Sequence, residues 1–212
     1  MTTTVSITPC WKSAWRRGLD RARLLAAAVL CLLAVLAGPA RATEISGLRV
    51  ERTPEGLMVA AQVHFDLPQG VDEALQKGIP LFFVTDAVLL RDRWYWYDKE
   101  VSAASRYMRL SYHPLTRRWR LLAASSPIGN AGLSLGQNFE TRDEALAAVQ
   151  RISGWKIADA GDLEPDQRYS VSLRFRLDVS QLPRPFQIGV VGQADWNIAT
   201  SRSLRLPAEI AR

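Results

Sequence analysis

The most regular stretch of the chain is a strict alternation. Tyr169, Val171, Leu173, Phe175 and Leu177 are separated by Ser170, Ser172, Arg174, Arg176 and Asp178, a period of two that predicts a strand with one face in a core and one in water. Residues 45–52 and 57–65 are apolar-patterned and flank Pro54-Glu55-Gly56, which predicts a β-hairpin. Residues 81–90 are almost continuously apolar, with β-branched and aromatic side chains, and predict a buried central strand. A second hairpin is expected from residues 107–112 and 118–122, turned at His113-Pro114-Leu115-Thr116, where the fixed φ of proline suits the second turn position. Residues 187–191 and 195–206 are the last strand candidates.

Two helices interrupt the strands. Residues 72–77 carry Asp72 and Glu73 in the first turn, with Gly78 as a left-handed stop. Thr141-Arg142-Asp143-Glu144 has the capping-box form, in which Ser or Thr precedes Glu by three. The helix it opens has Ala145, Leu146, Ala148, Val149 and Ile152 on its apolar side and ends at Gly154. Residues 125–137, rich in Gly, Ser and Asn, are expected to be a loop. Strands joined by short turns favour an antiparallel two-sheet β-sandwich, immunoglobulin-like, with two short connecting helices; a closed β-barrel is the alternative.

The first 42 residues follow a different pattern. Arg16, Arg17, Arg21 and Arg23 precede an apolar run over residues 24–37, and Gly38-Pro39 precedes Ala40-Arg41-Ala42. This is the layout of an export signal, with cleavage expected after Ala42; the run is shorter than the roughly 20 residues of a spanning helix. Residues 43–212 then form a single domain outside the cytoplasm, and the membrane is met only through the signal before cleavage. Both cysteines, Cys10 and Cys31, belong to the signal, so the mature domain has no disulfide, thiol nucleophile or thiolate ligand. Six of the 27 basic residues and one of the 21 acids leave with it, so 21 − 20 gives about +1. The basic character of the whole chain is therefore no argument for nucleic-acid binding.

Candidate chemistry is sparse. Trp94-Tyr95-Trp96-Tyr97 would serve as an aromatic contact platform, or would place its tryptophans in the core. Arg174 and Arg176 share a strand face; with Arg109, Arg118 and Arg120 they would form a basic strip for an anionic partner, or an ordinary solvated sheet face. Asp86, inside an apolar run, is expected near a sheet edge or paired with an arginine rather than in catalysis, because spacing sets no second acid beside it. His64 and His113 lie in different hairpins, so no metal site is expected. No cofactor is expected, and no G-x-S-x-G, S-x-x-K or phosphate-loop pattern occurs.

A resemblance rests on three stretches: residues 73–81 running on to Arg93-Trp94-Tyr95-Trp96; Leu110-Ser111-Tyr112 with its turn; and residues 177–187, which include Leu182-Pro183-Arg184-Pro185-Phe186-Gln187, with Asp195-Trp196. Together they resemble the proteobacterial DUF4390 family, exported proteins of unknown function also labelled proline-rich signal peptide proteins. The resemblance implies export and a link to a membrane sensor kinase; it implies no activity. The expected function is a non-enzymatic binding or regulatory module of the periplasm. Its partner would be an envelope protein, such as a membrane sensor, met through the hairpin containing Trp94 to Tyr97 and the segment from Leu182 to Gln187, where Pro183, Arg184 and Pro185 give a stiff backbone that suits a partner strand. The alternatives are an envelope factor binding an anionic polymer, glycan or lipid head group, and a hydrolase with an unrecognised site.

Overall fold

The computed structural model describes residues 43–93, 97–128, 135–164, 167–184 and 196–207. β1 (Glu44–Thr53) and β2 (Gly56–His64) form the expected first hairpin, with Thr53 opposite Gly56. The Thr53 hydroxyl donates to the Gly56 carbonyl at 3.0 Å. Gly56 has φ 139°, and a Cβ there would collide with the Ala158 carbonyl oxygen, so both the turn and its neighbour require glycine. α1 (Gln69–Gln76) ends as its sequence predicts. Gly78 has φ 85°, Ile79 N–H donates to Ala74 O at 3.1 Å and Gly78 N–H to Leu75 O at 3.0 Å, the paired bonds of a Schellman stop.

β3 (Leu81–Arg91), β4 (Lys99–His113), β5 (Arg118–Ala124) and β6 (Leu135–Phe139) follow as an antiparallel meander. α2 (Arg142–Gln150) then leads to β7 (Arg151–Ala158), and β8 (Tyr169–Leu177) and β9 (Ala199–Arg205) complete the order. The Thr141 capping box forms as read, with Glu144 N–H donating to the Thr141 hydroxyl at 3.3 Å. Two antiparallel sheets result, ordered β1-β2-β7 and β6-β5-β4-β3-β8-β9. The two-sheet sandwich is therefore the fold; six strands lie side by side between the edges β6 and β9 without closing into a barrel. The run over residues 81–90 is indeed central, flanked by β4 and β8.

The core lies between the sheets. Val59 and Val63 from β2, Leu89 from β3, and Val171 and Leu173 from β8 are fully buried, each stabilising the fold by about 1.5–3 kcal/mol. Phe65, Phe83 and Phe175 meet with ring centroids 5.3 to 5.7 Å apart. Side-chain bonds tie the layers together: Ser102 Oγ to Ile157 O at 2.8 Å, and Arg202 Nη1 to Ile45 O at 2.7 Å.

Several elements depart from the pattern-based expectation: α1 begins at Gln69 rather than at residue 72, and β9 begins only at Ala199. β4 begins at Lys99, well before residue 107, and β6 occupies part of the expected loop. β7 starts directly after α2, with Arg151 already extended at φ −91° and ψ 123°. Gly154, at φ 55°, does not end the helix; it lies inside β7, where the β2–β7 register slips between Val59 and Ala61. A bulge needs a left-handed residue as a helix stop does, so glycine alone does not distinguish them.

Candidate functional site

The register of the six-stranded sheet decides which arginines share a face. Phe82 lies opposite Arg109, Val84 opposite Tyr107 and Arg176, and Asp86 opposite Ser105 and Arg174. Arg109 lies opposite Leu122 on β5, and Arg120 and Arg118 follow at two-residue steps. With a side-chain period of two, Arg109, Arg118, Arg120, Arg174 and Arg176 all fall on the outer face, away from the small sheet. They do not form a continuous strip, because β3 separates β4 from β8. The six strands together carry two carboxylates, Asp86 and Glu100, against ten Lys and Arg side chains.

Several of these arginines are held in place. Arg176 Nη1 lies 2.6 Å from Asp86 Oδ2, and Ser105 Oγ donates to Asp86 Oδ1 at 2.7 Å. Asp86 thus has the arginine partner that its sequence context suggests. The Arg109 guanidinium sits 5.8 Å above the Phe82 ring, a cation–π distance. Arg174 and Arg120 are exposed. At the end of β8, Asp178 accepts from Ser180 Oγ at 2.6 Å and from Gln181 Nε2 at 2.8 Å. Burial raises the pKa of this carboxyl, but the hydrogen bonds from Ser180 and Gln181 and the charge of Arg176 outweigh it and leave the group below its ordinary value.

The other expected contact residues separate. Tyr97 lies in the β3–β4 connection and is 88% exposed. Pro183 and Arg184 are exposed beyond the end of β8, after the buried Leu182. Because β8 runs antiparallel to β3, with Phe83 opposite Leu177 and Arg91 opposite Tyr169, the two segments leave opposite ends of the sheet. Eight residue steps at ~3.3 Å put those ends about 26 Å apart. Trp94, Tyr95, Trp96 and Pro185 lie outside the described residues, as do residues 187–191.

A cleft of about 590 Å³ opens on the inner side of the same sheet, toward its β6 edge. Arg106 of β4 and Phe139 of β6 form one wall; Glu144 and Ala148 of α2, with Ser153 of β7, form the other. A shallower groove continues from Arg106 along Ala123, Ala124 and Trp155. Burial lowers the pKa of the Arg106 guanidinium. The sequence contains a signal for this residue that pattern reading misses: counting back by twos from Leu110 and Met108, both buried, arrives at Arg106.

Among the described residues no group of three or more His, Cys, Asp or Glu side chains converges to hold a metal. No curated protein and no solved structure matches the chain. Residues 40–205 match the model of the domain of unknown function DUF4390, and the chain belongs to that family.

Proposed function

We propose that the chain is an exported, non-catalytic binding module of the bacterial periplasm that presents the outer face of its six-stranded sheet to the acidic surface of an envelope protein, such as the external part of a membrane sensor. The observation that carries this reading is the uneven distribution of charge. The residues after the signal are close to neutral, yet five arginines from three strands gather on one face. Arginine suits such a face because its planar guanidinium remains charged and grips carboxylates in bidentate fashion. Holding some of these side chains by Asp86 and Phe82 reduces the rotamer entropy lost on docking.

Photocrosslinkers at positions 120 and 174 in the native envelope test the reading, with position 97 as comparison. One discrete protein adduct from 120 and 174, weakened by Arg174→Glu and by rising salt, is the expected result. Adducts to peptidoglycan or lipid instead would move the reading to an anionic polymer. No adduct from either position would overturn it.

A further inference from the structure

The cleft on the inner side has the chemistry of a carboxylate site. Arg106 projects from β4 in the same alternation as Met108 and Leu110, toward the core. A guanidinium in that position loses hydration, and its usual compensation is a carboxylate partner. Among the described residues Arg106 has neither an ion pair nor a hydrogen bond, and burial is the cause that lowers its pKa. Thr85, directly across on β3, is fully buried, and its hydroxyl also lacks a hydrogen-bond partner among the described residues. A half-buried guanidinium without a protein partner, beside a buried hydroxyl that has none either, marks a place where the fold has not been optimised for stability alone.

We propose that this cleft binds a monoanionic carboxylate with an apolar body, and that Arg106 receives the carboxylate. The site is independent of the outer arginine face. Its volume of about 590 Å³ falls within the range of small-molecule pockets. Charge selects a monoanion: Arg106 and Arg151 face a single acid, Glu144, so the wall carries one net positive charge, and a doubly charged phosphate would meet Glu144 repulsion. Glu144 is itself occupied with the Thr141 N–H at 3.4 Å. Phe139, Ala147 and Ala148 offer apolar contact for the body of the ligand. Gln137 and Ser153 are exposed and place neutral hydrogen-bonding groups at the mouth. The carboxylate would come either from a free acid or from the C-terminus of a peptide.

The test follows the Arg106 Nε–H resonance of the ¹⁵N-labelled chain during titration with N-acetyl-leucine, its amide, and an N-acetylated tripeptide ending in leucine with a free or amidated terminus. Both acids are expected to shift the resonance saturably and both amides to leave it unmoved. Arg106→Gln, followed through neighbouring backbone amides, weakens acid binding by roughly tenfold or more, Arg106→Lys by less, and Arg49→Gln on the exposed side of β1 leaves it unchanged. Tighter binding of the tripeptide acid assigns the source to a peptide terminus; equal or weaker binding assigns it to a free acid. Failure of either acid to saturate by about 10 mM, an equal response to acid and amide, or indifference to Arg106→Gln overturns the proposal. Thermal unfolding of unliganded Arg106→Met gives a second readout. Relief of an uncompensated charge raises the midpoint by about 2 °C, whereas a lower midpoint would show that Arg106 already has its partner within the fold and would also overturn the proposal.

Discussion

Arg176 and Arg106 lie on either side of β3, one on the outer face of the sheet and one on the inner, and their surroundings differ in kind. Arg176 is partly buried beside Asp86 at 2.6 Å, with Ser105 on the other carboxylate oxygen. Arg106 is also partly buried, but no described carboxylate forms an ion pair with it, Glu144 lying on the opposite wall of the cleft. The first arrangement is closed and contributes to the fold. The second leaves a desolvation cost that the fold does not recover. Burial of an arginine therefore carries little information by itself, and Arg109 on the outer face also has a buried Nε without a hydrogen-bond partner; it is the open cleft beside the unpaired Arg106 that points to a ligand.

The contrast can be broken most forcefully at Asp86. Asp86→Ala removes the acceptor of both Arg176 and Ser105 and is expected to destabilise the domain by about 1.5 kcal/mol, a value reduced because both charges are partly exposed; urea unfolding measures it. A loss under ~0.5 kcal/mol would reduce the pair to a surface contact. A double-mutant cycle with Asp86→Asn and Arg176→Gln isolates the coupling, expected near ~1 kcal/mol. Zero coupling would remove the distinction between the two arginines. Arg106→Met has the opposite sign, a gain of about 0.5–1 kcal/mol in urea unfolding.

The smallest effect concerns acid. Asp178 titrates below its ordinary 3.8, because donors on Ser180 and Gln181 and the charge of Arg176 outweigh burial. A depressed carboxyl contributes stability that is fully present above its unfolded value and is lost as pH falls through the lower folded value. Asp178→Asn should therefore flatten the stability profile below about pH 4, by only a few tenths of a kcal/mol because the group is largely solvent-screened. Arg176→Gln should move the Asp178 titration upward, readable from its carboxyl ¹³C shift. An unmoved titration would mean that Arg176 influences Asp86 alone.

Much of the sandwich was legible in the chain because its strong strands carry their own period. β8 alternates without a break from Tyr169 to Leu177, and each helix has one end whose orphan backbone groups are satisfied by a recognisable stop, the Thr141 side chain in one and the backbone N–H groups of Gly78 and Ile79 in the other. The weak strands were hidden for a common reason. The first half of β4 reads Lys-Glu-Val-Ser-Ala-Ala-Ser-Arg and β6 reads Leu-Gly-Gln-Asn-Phe, segments with little β propensity that become strands because neighbours pair with them. Arg106 was missed with its strand. The outer arginines could be grouped from sequence, but only strand order reveals that β3 lies between them, and only antiparallel register separates Tyr97 from Pro183 and Arg184.

The junction of α2 and β7 has a consequence for how this chain tolerates changes in length. Gln150 is the last helical residue, its side chain anchored to Phe65 O at 3.0 Å, and Arg151 is already in the strand. Without a loop between them, a helix of period 3.6 is joined to a strand of period 2, and no residue is free to absorb a slip. One amino acid added between positions 150 and 151 would turn Ile152 from the core toward water and carry Arg151 and Ser153 away from the cleft. The six-stranded sheet has turns in which an added residue costs little; at residue 150 the number of residues is as much a part of the specification as their identity.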